Sequence, residues 1–199
     1  MTTDQSVLFA PSGPDGFAYS ADFITATEEA SLLADIGTIA FSSFEMRGVV
    51  AKRRVAFFGQ SYGRSIAREI PPFLEPLRSL LTAWAGIHPD AFAMALINEY
   101  QPGSPIGWHR DAPQYDIVAG LSLLSSCRMK FRPYVSPADV APMAKRRRAA
   151  YDIVLEPRAA YLLTGAARSH FEHHIPVPSL RYSVTFRTLR ARGGKGRAD

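Results

Sequence analysis

The stretch Arg181-Tyr182-Ser183-Val184-Thr185-Phe186-Arg187 alternates strictly between two kinds of side chain. Along a strand, successive side chains point to opposite faces. Arg181, Ser183, Thr185 and Arg187 therefore share the inward face, while Tyr182, Val184 and Phe186 pack outward. Two guanidiniums on an inward face are costly unless an anion sits between the groups there. A carboxylate suits them, from a ligand or from Asp or Glu on a neighbouring strand, because the planar guanidinium fork makes two parallel charge-assisted bonds to it.

Working back from this strand, short apolar runs recur between turn residues: Ala93 to Tyr100, Ile117 to Leu124, Arg128 to Tyr134, Tyr151 to Leu155, Ala160 to Thr164 and Phe171 to Ile175. Spacing of this kind predicts a sandwich or jelly roll. Val135 to Ala149, rich in proline and basic residues, reads as an irregular insertion. Further back the period changes from two to 3.6. Thr25 and Glu28 form a capping box ahead of Ala30, Leu32, Leu33 and Ile36, predicting a helix from Thr25 to Ile36. A second helix is predicted from Pro71 to Ala85, with Phe73, Leu77, Leu80, Leu81 and Trp84 as its apolar face and Gly86 as its stop. The expected fold class is mainly β (α+β): a double-stranded β-helix (jelly roll) with buttressing N-terminal helices.

Two turns punctuate the strands where chemistry gathers. Pro102-Gly103-Ser104-Pro105 places His109 near a strand mouth, and Pro176 and Pro178 precede Arg181. In Trp108-His109-Arg110-Asp111 the histidine and aspartate stand at i and i+2, which puts both on one face if the run is extended. Two imidazoles and a carboxylate on one face of an octahedral metal form the facial triad of non-haem Fe(II) oxygenases. The second imidazole must come from elsewhere, and His170, His173 and His174 are the candidates.

Composition bounds the rest. At 199 residues and 47% hydrophobic, the chain suits one domain over 1–189, with 190–199 as a basic tail expected to be disordered. The single cysteine, Cys127, excludes an intramolecular disulfide framework, fits a reducing cytosol and is expected to pack in the interior. Met1 to Ser6 has neither the basic nor the apolar region of a secretory signal. No run approaches the ~18 to 20 apolar residues of a membrane span, so a cytoplasmic, membrane-free monomer is expected. The formal charge of +5 is concentrated in Lys52-Arg53-Arg54, in Lys145-Arg146-Arg147-Arg148 and in the tail from Arg190 to Arg197. Such clusters suit either a solvated face or a polyanion.

Taken in order, these motifs resemble the AlkB family of Fe(II)- and 2-oxoglutarate-dependent dioxygenases. The resemblance runs from about Ala93 to Arg187, with a weaker echo in Met46 to Tyr62. It rests on Asn98-Glu99-Tyr100 before the His-x-Asp, Leu121-Ser122-Leu123 after it, Leu162-Leu163-Thr164-Gly165 before the late histidines, and the Arg181 to Arg187 ending. The family ligand sits two residues before an isoleucine, which selects His173 beside His109 and Asp111. The resemblance further implies Fe(II), 2-oxoglutarate and O2 as cofactor and co-substrates. Arg181 would pair with the distal carboxylate of 2-oxoglutarate, Arg187 would stand nearer the metal end, and Asn98 and Tyr100 would hydrogen-bond the same molecule. Ser183 stands where some relatives carry asparagine, which weakens one of these contacts.

The implied activity is oxidative dealkylation of N-alkylated bases in DNA or RNA, a direct reversal of alkylation damage coupled to decarboxylation of 2-oxoglutarate to succinate. The alternatives are a dioxygenase of the same fold acting on a protein or small molecule, and a non-catalytic jelly-roll binding module. A recessed metal reaches a base only in a single strand or after the nucleotide is flipped out. Residues 46–62 resemble the family's substrate lid over a 91–189 jelly-roll core. In that lid Arg53 and Arg54 would meet phosphates, and Phe57, Phe58 and Tyr62 would stack on the base. Trp108 is a further stacking candidate, although period-two geometry turns it away from His109.

Overall fold

The computed structural model describes residues 13–46, 49–60, 68–136 and 150–190. Its strands and helices run, in chain order, β1 (Phe17–Ser20), α1 (Ala26–Ile36), β2 (Ser42–Met46), β3 (Val49–Gly59), α2 (Glu75–Ala85), β4 (Phe92–Tyr100), β5 (Ile106–His109), β6 (Tyr115–Leu123), β7 (Cys127–Pro133), β8 (Tyr151–Leu155), β9 (Ala160–Leu163), α3 (Gly165–Ser169), β10 (Phe171–Ile175) and β11 (Arg181–Leu189). Antiparallel pairing assembles them into a large sheet, β1-β9-β6-β11-β4-β3-β2, and a small one, β5-β10-β7-β8. This is the jelly roll expected from the strand spacing, with the helices against the large sheet.

Strand β11 lies at the centre of the large sheet, between β4 and β6. Its polar face meets the small sheet. There Met129, Phe131, Ile153 and Leu155 pack against Tyr100, Val118, Tyr161 and Leu163. The other face is no more exposed, because Val184 and Phe186 are fully buried with Leu32 and Ile36 of α1 and Leu77 and Leu81 of α2. Burying a side chain of this size contributes roughly 1.5–3 kcal/mol. The helices thus fix β11 from behind and leave its front for polar work.

Helix α1 starts as its sequence requires. The Thr25 hydroxyl accepts from the Glu28 backbone N–H at 3.2 Å, and the Glu28 carboxylate accepts from the Thr25 N–H at 2.7 Å. Pro72–Leu74 forms a 3₁₀ turn, so α2 proper begins at Glu75, four residues after its expected start at Pro71, and Gly86 ends it at φ +65°. Leu80 does not join the apolar face. It is 45% exposed, while Leu77 and Leu81 one turn apart point into the core.

Within the segment 46–62 expected as a lid, Val49–Gly59 forms strand β3. Residues 54–59 pair with β4, from Arg54 opposite Glu99 to Gly59 opposite Met94, and β2 flanks Arg54 and Val55 on the far side. The run Val55-Ala56-Phe57-Phe58 thus satisfies one side of its backbone on β4. Tyr62, the Lys145–Arg148 run and residues 191–199 of the tail lie outside the described residues. Among the described residues no helix is long and apolar enough to cross a membrane, and Cys127 is buried.

Candidate active site

The small sheet brings the two imidazoles together. In the β5–β10 pair His109 stands directly opposite His173, and the ring centroids are 4.2 Å apart. Strand β5 ends at His109, so Asp111 lies beyond it and not on an extended run as expected. Its carboxylate still reaches the same point, with Oδ2 3.9 Å from His173 Nε2. His109 Nδ1 lies 2.8 Å from the Gly107 carbonyl, and donation there leaves Nε2 as the acceptor nitrogen. His174 faces away, with Nδ1 2.6 Å from the Ile106 carbonyl and its ring against Trp108. His170 closes α3, and Glu172 is bonded to Arg132.

Two nitrogens and a carboxylate are a donor set for a divalent transition metal. As they stand, no three histidine, cysteine, aspartate or glutamate side chains among the described residues form a closed metal cluster. Adjacent ligands each roughly 2.1 Å from a shared ion sit about 3 Å apart, so the Asp111–His173 gap is only slightly wider than a closed shell requires.

Electrostatics keep the three groups in their ligating forms. Burial, and then the neighbouring His109, push His173 down to about 3. Burial likewise lowers His109. Burial alone would raise Asp111, but the Arg187 charge, the two histidines and the Arg187 hydrogen bond together outweigh it and hold the carboxyl well below its usual range. Arg187 reaches across from β11, with Nε and Nη2 donating to Asp111 Oδ1 at 3.0 and 2.8 Å. Its Nη1 donates to Thr185 Oγ1 at 3.1 Å. The other oxygen, Oδ2, stands on the His173 side.

At the other end of β11, Arg181 is 0% exposed. Its Nε donates to Ser122 Oγ at 3.2 Å and its guanidinium lies 5.2 Å from the Tyr100 ring centroid, yet Nη1 and Nη2 have no hydrogen-bond partner. A buried charge in that condition is strongly penalised, so the observation fits an anion with two oxygens. Beside it, Asn98 donates from Nδ2 to Ser183 Oγ at 3.3 Å and accepts from Arg53 Nε at 3.3 Å. Tyr100, Asn98, Ser183 and Arg53 line one cavity with His109, Asp111, His173 and Arg187.

Residues expected on the substrate side separate. Arg53 lines the cavity, and Phe57, on the same face of β3, is 40% exposed. Arg54 and Phe58 do not reach it. Arg54 is bonded to Glu99 at 2.6 Å, and Phe58 is buried in the helix-side core. Both face away because the β3–β4 register sets them opposite Glu99 and Ala95. Trp108 also faces out, under the Arg132 guanidinium at 4.4 Å. Three participants escaped the sequence reading. Ser122 lay in a quoted strand, and its polarity in an apolar run was the available signal. Tyr161 lines the cavity where Gly120 leaves room, since a Cβ there would come within 2.3 Å of the ring. Arg168 had no local signal.

Residues 43–187 match the 2OG-Fe(II) oxygenase superfamily. The chain is 28% identical over 175 residues to the "Alkylated DNA repair protein ALKBH8 homolog" of Arabidopsis thaliana, covering 78% of this chain but only about half, 49%, of that protein. It is 27% identical over 192 residues to the uncharacterized protein L905 of Acanthamoeba polyphaga mimivirus, covering 88% of this chain and 85% of the relative. Its fold is similar to the structure of OsALKBH1, with TM-score 0.65 at 14% identity over 89% of this chain and 100% of the other. A prolyl hydroxylase from Trichoplax adhaerens, solved with a hypoxia inducible factor peptide, gives TM-score 0.59 at 12% identity over 88% and 84%.

Proposed function

Because the chain belongs to the 2OG-Fe(II) oxygenase superfamily, we propose that its substrate is a nucleic acid carrying an N-alkylated base, in DNA or RNA, which it restores by oxidative dealkylation. Enzymes of this superfamily use Fe(II), 2-oxoglutarate and O2. When bound, these split O2 between the decarboxylating co-substrate, which becomes succinate, and a nearby C–H bond, which is hydroxylated. On an N-methyl group the product is a hemiaminal that breaks down to formaldehyde and the unmodified base.

In this reading His109, Asp111 and His173 hold the metal, the histidines being kept neutral by burial. Arg187 holds one oxygen of Asp111 and so directs the other. Arg181 receives the distal carboxylate on its two unpartnered nitrogens, and Asn98, Tyr100 and Ser183 line the path between the two ends. Single strands or flipped-out bases are the form that reaches the metal.

The observation that carries the nucleobase reading is the placing of Phe57 and Arg53 on the cavity face of β3. An exposed aromatic for stacking and a cavity-lining cation for a phosphate or a base acceptor sit four residues apart on that face. The name of the A. thaliana relative agrees with it. The test is mass spectrometry of a single-stranded oligonucleotide carrying N1-methyladenine, incubated with Fe(II), 2-oxoglutarate and O2, with Asp111→Ala as control. Loss of the methyl group that depends on Asp111 is expected. Succinate formation with every methylated oligonucleotide left intact would overturn the substrate and move it to a protein or a small molecule.

A further inference from the structure

The segment that carries His109 and Asp111 and the segment that leads into His173 are stitched to each other twice, in opposite directions. From the first, Arg110 Nη1 donates to the Ser169 carbonyl at 3.0 Å, with its guanidinium stacked 3.4 Å from the centre of the Tyr134 ring. From the second, Arg168 turns inward from α3 and is 5% exposed. Its Nη2 donates to the carbonyl of Ala112 and, at 2.9 Å, to that of Tyr115. Those two carbonyls bracket the turn just after Asp111. The Arg168 Nε is buried with no partner.

A buried arginine close to a site built for a cation needs a reason. Its charge opposes metal binding, and nothing about α3, a single helical turn, requires an arginine at that position. What the long side chain does is hold two carbonyls of a chain reversal from one terminal nitrogen, Nη2. Asp111 stands beyond the end of β5, where no sheet ladder fixes its backbone. Arg187 orients its carboxylate, but only the turn fixes where that carboxylate starts.

We propose that Arg168 is a positioning residue for the metal centre, holding the Ala112–Tyr115 turn so that Asp111 meets His109 and His173. The inference rests on the metal reading above but not on the nucleic-acid substrate. Groups that orient metal ligands characteristically contribute about 10- to 100-fold to metal affinity. Field and position make opposite predictions here. Removing a nearby positive charge tightens cation binding if Arg168 acts only through its field, and weakens it if Arg168 holds the turn.

The experiment titrates the metal-stripped full chain with Mn(II) alone, followed by the paramagnetic resonance signal of the free ion. It compares wild type, Arg168→Met, Arg168→Lys, Asp111→Ala and Leu81→Ala. The last empties a fully buried position on the helix side of the large sheet and reports what a general loss of stability does. Weakening of about 10- to 100-fold is expected for Arg168→Met. A smaller but clear weakening is expected for Arg168→Lys, which keeps the charge but, on a shorter stem, falls short of reaching both carbonyls, and none for Leu81→Ala. Unchanged or tighter binding by folded Arg168→Met overturns the proposal. If that variant does not fold, wild-type affinity in Arg168→Lys overturns it. Should Asp111→Ala bind Mn(II) as well as wild type, the metal reading falls and this proposal with it. Loss in Asp111→Ala without loss in either Arg168 variant sinks the positioning role alone.

Discussion

The two ends of β11 carry the same side chain under opposite conditions. Arg187 has all three guanidinium nitrogens engaged, two on Asp111 and one on Thr185. Arg181, more deeply buried, has one nitrogen on Ser122 and two on nothing. Both cost desolvation, but only Arg187 recovers it within the protein. A saturated buried cation belongs to the frame, whereas an unsaturated one marks where a ligand completes it. The five residues between them set the length of the site.

The strongest test of this contrast is at the carboxylate that Arg187 serves. Asp111→Ala is expected to lower 2-oxoglutarate turnover by roughly 10³-fold or more, above the ~10- to 100-fold typical of supporting groups. Succinate release measures it, and retained turnover would remove Asp111 from the metal. Next is Arg187→Met, expected to destabilise the folded protein by about 3–5 kcal/mol by leaving a buried carboxylate uncompensated, as read from urea unfolding.

Arg181→Met should show the reverse pattern. Unfolding without ligand should be unchanged or shifted toward greater stability, since an unpaired charge is removed. The KM for 2-oxoglutarate should rise about 100-fold, as expected for two charge-assisted bonds of ~1.5–3 kcal/mol each that do not add fully. If the two variants behaved alike, the distinction between frame and ligand site would collapse. Smaller again, Phe57→Ala should raise the KM for a methylated oligonucleotide about tenfold, within the range for base–aromatic stacking, and leave the 2-oxoglutarate requirement as it was.

The smallest expected effect is on pH dependence. Folded His173 resists protonation down to about 3, whereas its ordinary value is 6.5. Between those values the unfolded chain binds more protons, so stability falls as pH drops below 6.5 and is unaffected above it. Metal-free melts at pH 7.5 and 5.5 should differ by about 3 °C for each such histidine, and His173→Gln should reduce the difference.

Much of this was legible in the sequence because period-two alternation reports faces directly. The alternation of β11 and the Thr25–Glu28 capping box each found a structural counterpart, and the jelly roll followed from strand spacing, whereas Asp111 comes to His109 from beyond the end of β5. What could not be read depended on register. Phe57 and Phe58 are equivalent as neighbours in a chain, and only pairing with Leu96 and Ala95 of β4 decides which faces the cavity. Arg53 and Arg54 divide in the same way. Strand β5 is four residues long with Gly107 inside it, and α3 is too short for any periodicity to emerge. Arg168 acts on Tyr115, 53 residues away, and no local pattern announces a partner at that distance.

The two histidines belong to the small sheet, and both arginines of β11 belong to the large one. Whatever fills the space between them is held by both walls at once, and the Arg187–Asp111 pair already spans that gap. The bound metal and keto acid would then work as a rivet through two plates, resisting their separation in heat. A co-substrate at 100 times its dissociation constant adds about 2.7 kcal/mol to the free energy of unfolding, so the melting temperature itself becomes a gauge of whether both plates are gripped.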